Sequence, residues 1–214
     1  MITEQKRKEI ETALLQQVEI DGTYHIDDQG LVHVTGTIRQ KKKPDVTRFG
    51  WAKKNKNIKK FNNSLYDQLD VQFGVVSGHC YMGGMGLRTL QGAPERVGGD
   101  FFCNDNKLKS LVGAPQWVGG DFRCYNNILT SLEGMPSHIG GRLIMNWDPE
   151  MPLLRCLTAQ RIDIIKPNYV TPKILDAIRT CDKILNQYAG QGRPGMLKAA
   201  VELIRAGYPL AAKL

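Results

Sequence analysis

From Val76 onward the apolar positions of this chain recur every 21 residues. Val76, Val97, Val118 and Ile139 open four copies of one pattern. Leu87/Leu90, Leu108/Leu111 and Leu129/Leu132 then fall in phase, as do Pro94, Pro115 and Pro136. A period of this length predicts a solenoid with one short strand per turn. Counting Val97 as position one, strand alternation turns positions five and seven (Phe101 and Cys103) inward. The leucines at positions 12 and 15 join them in the core. Positions four, six and eight then point outward. Gly-Gly pairs allow the turn into each strand, and the prolines stiffen the return segment.

The flanking segments carry other periods. Residues 2–19 place Ile2, Ile10, Ala13, Leu14 and Val18 on one face, which predicts an amphipathic helix covering the first open edge of the stack and ending at Asp21-Gly22. Residues 31–38 alternate like a strand. Val34 to Ile38 aligns with Val76 to Cys80 at an offset of 42, two periods, so the solenoid is expected to begin near residue 31. Tyr66 and Leu69 fall on the register of Leu87 and Leu90, which predicts one degenerate turn in between, with residues 39–60 as a turn or extruded loop. Beyond Met151 the spacing becomes helical over Pro172 to Tyr188. A Gly-rich turn at 190–195 and a second helix over 196–206 follow. The resulting division is an N-terminal helical cap (1–30), a solenoid (31–157) and a C-terminal helical cap (158–214).

Charge sharpens this picture. The 214 residues carry a net charge of +8, but residues 39–60 alone hold ten basic residues against Asp45. Such a cluster attracts phosphates or an acidic protein partner. No apolar run approaches a membrane span, and the N-terminus runs into a helical pattern instead of a signal peptide, so a soluble, intracellular protein is expected. Cys103 and Cys124 share a repeat position with Met82 and Met145. A metal ligand or disulfide partner would not exchange with methionine, whereas a small buried apolar group would.

Candidate chemistry is sparse. Gly83-Gly84-Met85-Gly86 and Gly190-Gln191-Gly192 lack the strand–loop–helix context of a phosphate loop. His25, His33, His79 and His138 have no metal spacing. Asp100 and Asp121 share a repeat position, which explains them better than a catalytic pair does. Asn106 and Asn127 share position ten, where a buried amide can bond the backbone as the chain leaves the strand. The expectation is a protein that is not an enzyme, with no cofactor, no metal and no catalytic residues.

The informative residues face outward: His79, Asp100, Asp121 and Arg142 at position four; Tyr81, Phe102, Arg123 and Ile144 at position six; Gly83, Asn104, Tyr125 and Asn146 at position eight. Rungs about 4.8 Å apart would tile these on one concave sheet face. Tyr, Phe and Arg are enriched in binding hot spots, which marks a partner surface. In the first, weaker unit the same positions are Thr37, Arg39 and Lys41. A second candidate surface is the basic segment, with Arg39, Lys41, Lys42, Lys43, Arg48, Trp51, Lys53 and Lys54 placed to hold phosphates, stack a base or meet an acidic partner.

The phrases Val97 to Phe101, Val118 to Phe122 and Leu108 to Pro115 resemble the leucine-rich repeat, especially the short repeats of proteins encoded by tailed bacteriophages. The resemblance covers about 76–157 well and 31–75 weakly; Trp147-Asp148-Pro149-Glu150 departs from it and suggests the solenoid is ending. It implies a leucine-rich-repeat-like α/β solenoid with helical caps. It also implies a binding protein acting in the bacterial host cytoplasm, which docks on a host defence or nucleic-acid-handling protein and inhibits or redirects it. The alternative is nucleic-acid binding through 39–60.

Overall fold

The computed structural model describes residues 1–41, 69–148, 151–166 and 171–213. It is a parallel β-stack solenoid of about four turns, with helices at both ends. Helix α1 spans Glu4–Gln17 and is capped by the Thr3 side chain, which accepts from the Lys6 N–H. Strands β1 (Val18–Ile26) and β2 (Val32–Gln40) follow. Each of the next three turns carries two short strand pieces: β3 (Phe73–Val76) and β4 (Cys80–Tyr81), β5 (Arg96–Val97) and β6 (Phe101–Phe102), β7 (Trp117–Val118) and β8 (Phe122–Arg123). Strand β9 (His138–Asn146) spans both columns, and β10 (Ala159–Ile165) closes the sheet after a 3-10 helix at Leu153–Thr158. Helices α2 (Pro172–Tyr188) and α3 (Gly192–Arg205) complete the chain.

The period sets the core. Residue pairs 21 apart lie side by side in parallel register, Val97 with Val118 and Phe101 with Phe122. Cys80, Phe101, Phe122 and Leu143 at position five are completely buried, as are Leu90, Leu111 and Leu132 at position 15. Each such side chain contributes about 1.5–3 kcal/mol on burial. Close backbone approach explains the glycine at position two: a Cβ on Gly119 would sit 2.2 Å from the Gly98 carbonyl oxygen.

Four features differ from the sequence reading. Asp21-Gly22 does not end the helix but lies inside β1, which pairs antiparallel with β2, Gly22 opposite Gly36. The two glycines permit this crossing, since a Cβ on Gly22 would lie 2.1 Å from the Thr35 carbonyl oxygen. The 42-residue offset is real, yet β2 pairs directly with β3 and β4, so no degenerate rung stands between them. Leu69 nevertheless falls where expected, buried, its N–H donating to the Gln91 carbonyl. The sheet also runs past residue 157: β10 pairs parallel with β9, inside the segment read as helical cap. Its register slips, Ile162 standing beside Leu143 at a spacing of 19, so the 21-residue period does not reveal it. Finally, α3 begins at Gly192, within the segment read as a turn.

Candidate partner-binding face

The outward residues at position six form a continuous stack. The Arg39 guanidinium lies 4.3 Å from the Tyr81 ring centroid. Tyr81 and Phe102 stack with centroids 4.5 Å apart and planes 19° from parallel. Arg123 covers the far side of Phe102 at 4.9 Å. Strand register produces this order, since Arg39 pairs with Tyr81, Tyr81 with Phe102, and Phe102 with Arg123. Ile144 continues the row beside Arg123. Two rings held between two cations are favourable beyond their buried area, because each guanidinium meets the electron-rich face of a ring.

Position four forms a second row, built on hydrogen bonds. The Thr37 hydroxyl accepts from the His79 N–H, and His79 Nδ1 accepts from the Asp100 N–H. Asp100 Oδ1 accepts from the Asp121 N–H at 2.8 Å, and Asp121 Oδ1 from the Arg142 N–H at 2.9 Å. Each side chain thus satisfies the backbone of the next turn. Asp121 also pairs with the guanidinium of Arg142 at 2.7 Å and that of Arg123 at 3.2 Å. Burial raises the Asp121 pKa, but the Arg142 hydrogen bonds outweigh it and hold the carboxyl below its usual value. The two aspartates therefore have a structural task in addition to any partner contact.

At position eight, Asn104 donates to Asp105, whose other oxygen accepts from Asn126. Asn146 accepts from the Asn126 N–H. Tyr125 is half-buried in this row. Beside the rows lies a groove of about 560 Å³, whose lining includes Glu19, Arg39, Gln40, Lys41, Tyr81 and Phe102. Lys41 Nζ donates to the Leu15 carbonyl. Of the basic segment, only Arg39 and Lys41 are described; Lys42, Lys43, Arg48, Trp51, Lys53 and Lys54 lie outside the described residues, as does Tyr66.

Three further features were not read from the sequence. Arg96 lies 4.7 Å from the Trp117 ring, and Trp117 stacks on His138 at 5.3 Å. The 21-residue spacing of Arg96, Trp117 and His138, just before position one, is the signal that could have revealed this shorter stack. Arg161 and Asp163 on β10 also join the charged row, with Arg142 Nη1 3.5 Å from Asp163. On α3, Leu197, Val201 and Ile204 form an exposed apolar stripe.

The interior is chemically quiet. All five cysteines are free and buried. Burial pushes the Cys156 thiol up to about 12 and that of Cys181 to about 11. Among the described residues no group of three His, Cys, Asp or Glu is placed to hold a metal ion, and no helix is long and apolar enough to cross a membrane.

The fold and this face define a repeat protein, a β-solenoid with a spacing of about 21 residues. No family model matches the chain, and neither a curated protein nor a solved structure matches it.

Proposed function

We propose that the chain is a non-enzymatic binding protein whose outward sheet face docks on another protein. The observation that carries this reading is the Arg39–Tyr81–Phe102–Arg123 stack, a row of hot-spot residue types on a rigid sheet. Rungs locked by main-chain hydrogen bonds fix these side chains before any partner arrives, which lowers the ordering cost of association. The resemblance to phage-encoded repeats extends the proposal to the partner: a bacterial host protein of defence or nucleic-acid handling, blocked or redirected by docking. Direct nucleic-acid binding through 39–60 is the alternative.

The test is affinity capture from nuclease-treated bacterial lysate with the native chain, Phe102→Ala and Arg123→Ala. A protein held by the native chain and lost with both variants supports the reading. Equal capture by all three removes the face from the interface. Captured material that disappears on nuclease treatment moves the function to 39–60.

A further inference from the structure

Independently of the docking face, we infer that α3 is the contact surface of a symmetric dimer, its apolar stripe pairing antiparallel with the same stripe of a second copy. The stripe lies on the side of the helix that the fold leaves uncovered. Gly195, Ala199 and Leu203 are the buried residues of α3, which packs on α2 and the 3-10 helix. Leu197, Val201 and Ile204 stand on the opposite side, spaced i, i+4 and i+7, and are 62%, 46% and 57% exposed. The other large apolar side chains that are exposed among the described residues come one to an element or loop. Such single residues need no explanation, whereas a contiguous stripe marks a contact.

Charge along one edge of the stripe selects a second copy as its occupant. Lys198 and Glu202 lie one turn apart on the same edge and line a shallow groove of about 350 Å³ with Leu197 and Val201. The Tyr188 hydroxyl donates to Glu202 Oε1 and steadies that carboxylate, which leaves Oε2 to meet a cation. Lys198 is exposed and makes no ion pair among the described residues. A twofold axis crossing the helix beside Ala200 reverses the residue order in the partner copy. It sets Lys198 of each copy level with Glu202 of the other, so the pair forms twice. The same axis sets Leu197 beside Ile204, within one residue's rise of about 1.5 Å, and brings the two Val201 side chains together at the centre. An unrelated apolar helix has no reason to match this order of charges, whereas a second copy matches it by symmetry. One helix face is small beside the roughly 800 Å² per partner of a standard interface, so dissociation at tens of micromolar is expected.

The experiment is sedimentation equilibrium of the full chain from about 5 to about 200 μM. The native chain is expected to pass from the mass of one copy to that of two, and Val201→Glu to stay at one. Lys198→Glu and Glu202→Lys each set like charges face to face, and each weakens association about tenfold. An equimolar mixture of these two variants associates as the native chain does, because every facing pair is then opposite in charge. Recovery on mixing cannot come from variants that fail to fold. A native chain still at the mass of one copy at about 200 μM would overturn the inference. So would a dimer that Val201→Glu leaves intact, or a mixture that associates no more strongly than its components. The docking proposal stays with the Phe102→Ala and Arg123→Ala captures in every case.

Discussion

Asn106 is the side chain on which two successive turns hang. Its Oδ1 accepts from the Met85 and Leu87 N–H groups, and its Nδ2 donates to the Met82 and Cys103 carbonyls, all within 2.8–3.0 Å. Asn127 repeats the arrangement one turn later with Leu108, Cys103 and Cys124. The shared position ten made this structural role legible in the sequence; the partners from the turn before, Met82, Met85 and Leu87 for Asn106, were not. Asn106→Ala strands several buried backbone groups and is expected to cost about 3 kcal/mol in urea unfolding. A loss below about 1 kcal/mol would mean that water replaces the amide. Asp105 and Asn126, with φ of 57° and 53°, occupy the left-handed region next door, where the first turn has Gly84. Asp and Asn tolerate that region better than other side chains, so one backbone shape accommodates all three.

At the scale of elements, side chains stand in for strands where the sheet must stop. Asn186 on α2 accepts from the Ile162 N–H and donates to the Ile162 carbonyl, satisfying the edge of β10. Gln17 at the end of α1 makes a similar reciprocal pair with Asp70. The charged row across the turns has a pH consequence. Because Arg142 holds the Asp121 pKa below its unfolded value, the stabilisation is complete above that value, near 4, and is lost as pH falls through the native pKa. An acid titration followed by circular dichroism should therefore show a shallower acid limb for Asp121→Asn than for the native chain. Identical limbs would show that the ion pair contributes nothing to folding.

For the molecule as a whole, the five cysteines run from Cys80 in the first repeat to Cys181 in α2 and report on the repeats and the first C-terminal helix. Their burial predicts no reaction with a thiol reagent at pH 8 in the native state, since the thiolate is the reactive form. Under urea, all five should react with one midpoint if the solenoid and its C-terminal helices unfold together. Staggered reaction, Cys181 first, would mean that the end of the stack frays independently, as nearest-neighbour repeat arrays can. Core cohesion favours the single midpoint: one continuous buried cluster runs from Leu14 in α1 to Leu203 in α3. The same rigidity holds the outward face in register, and loss of capture by Phe102→Ala and Arg123→Ala is the expected consequence of disrupting that face.

The sequence by itself determined the solenoid, because each turn repeats its apolar spacing and neighbouring turns bury identical positions against one another. It determined the inward and outward sides for the same reason: strand alternation follows from local backbone geometry. Tertiary structure alone decided how the stack is closed at its start and where it ends. The β1–β2 hairpin depends on two glycines 14 residues apart meeting across a strand pair, and β10 joins out of phase because pairing with β9 tolerates a bulge. It also decided that Arg39, 42 residues before Tyr81, lies directly on that ring. Contacts across such distances are set by which strands become neighbours, and the direct pairing of β2 with β4 made that choice.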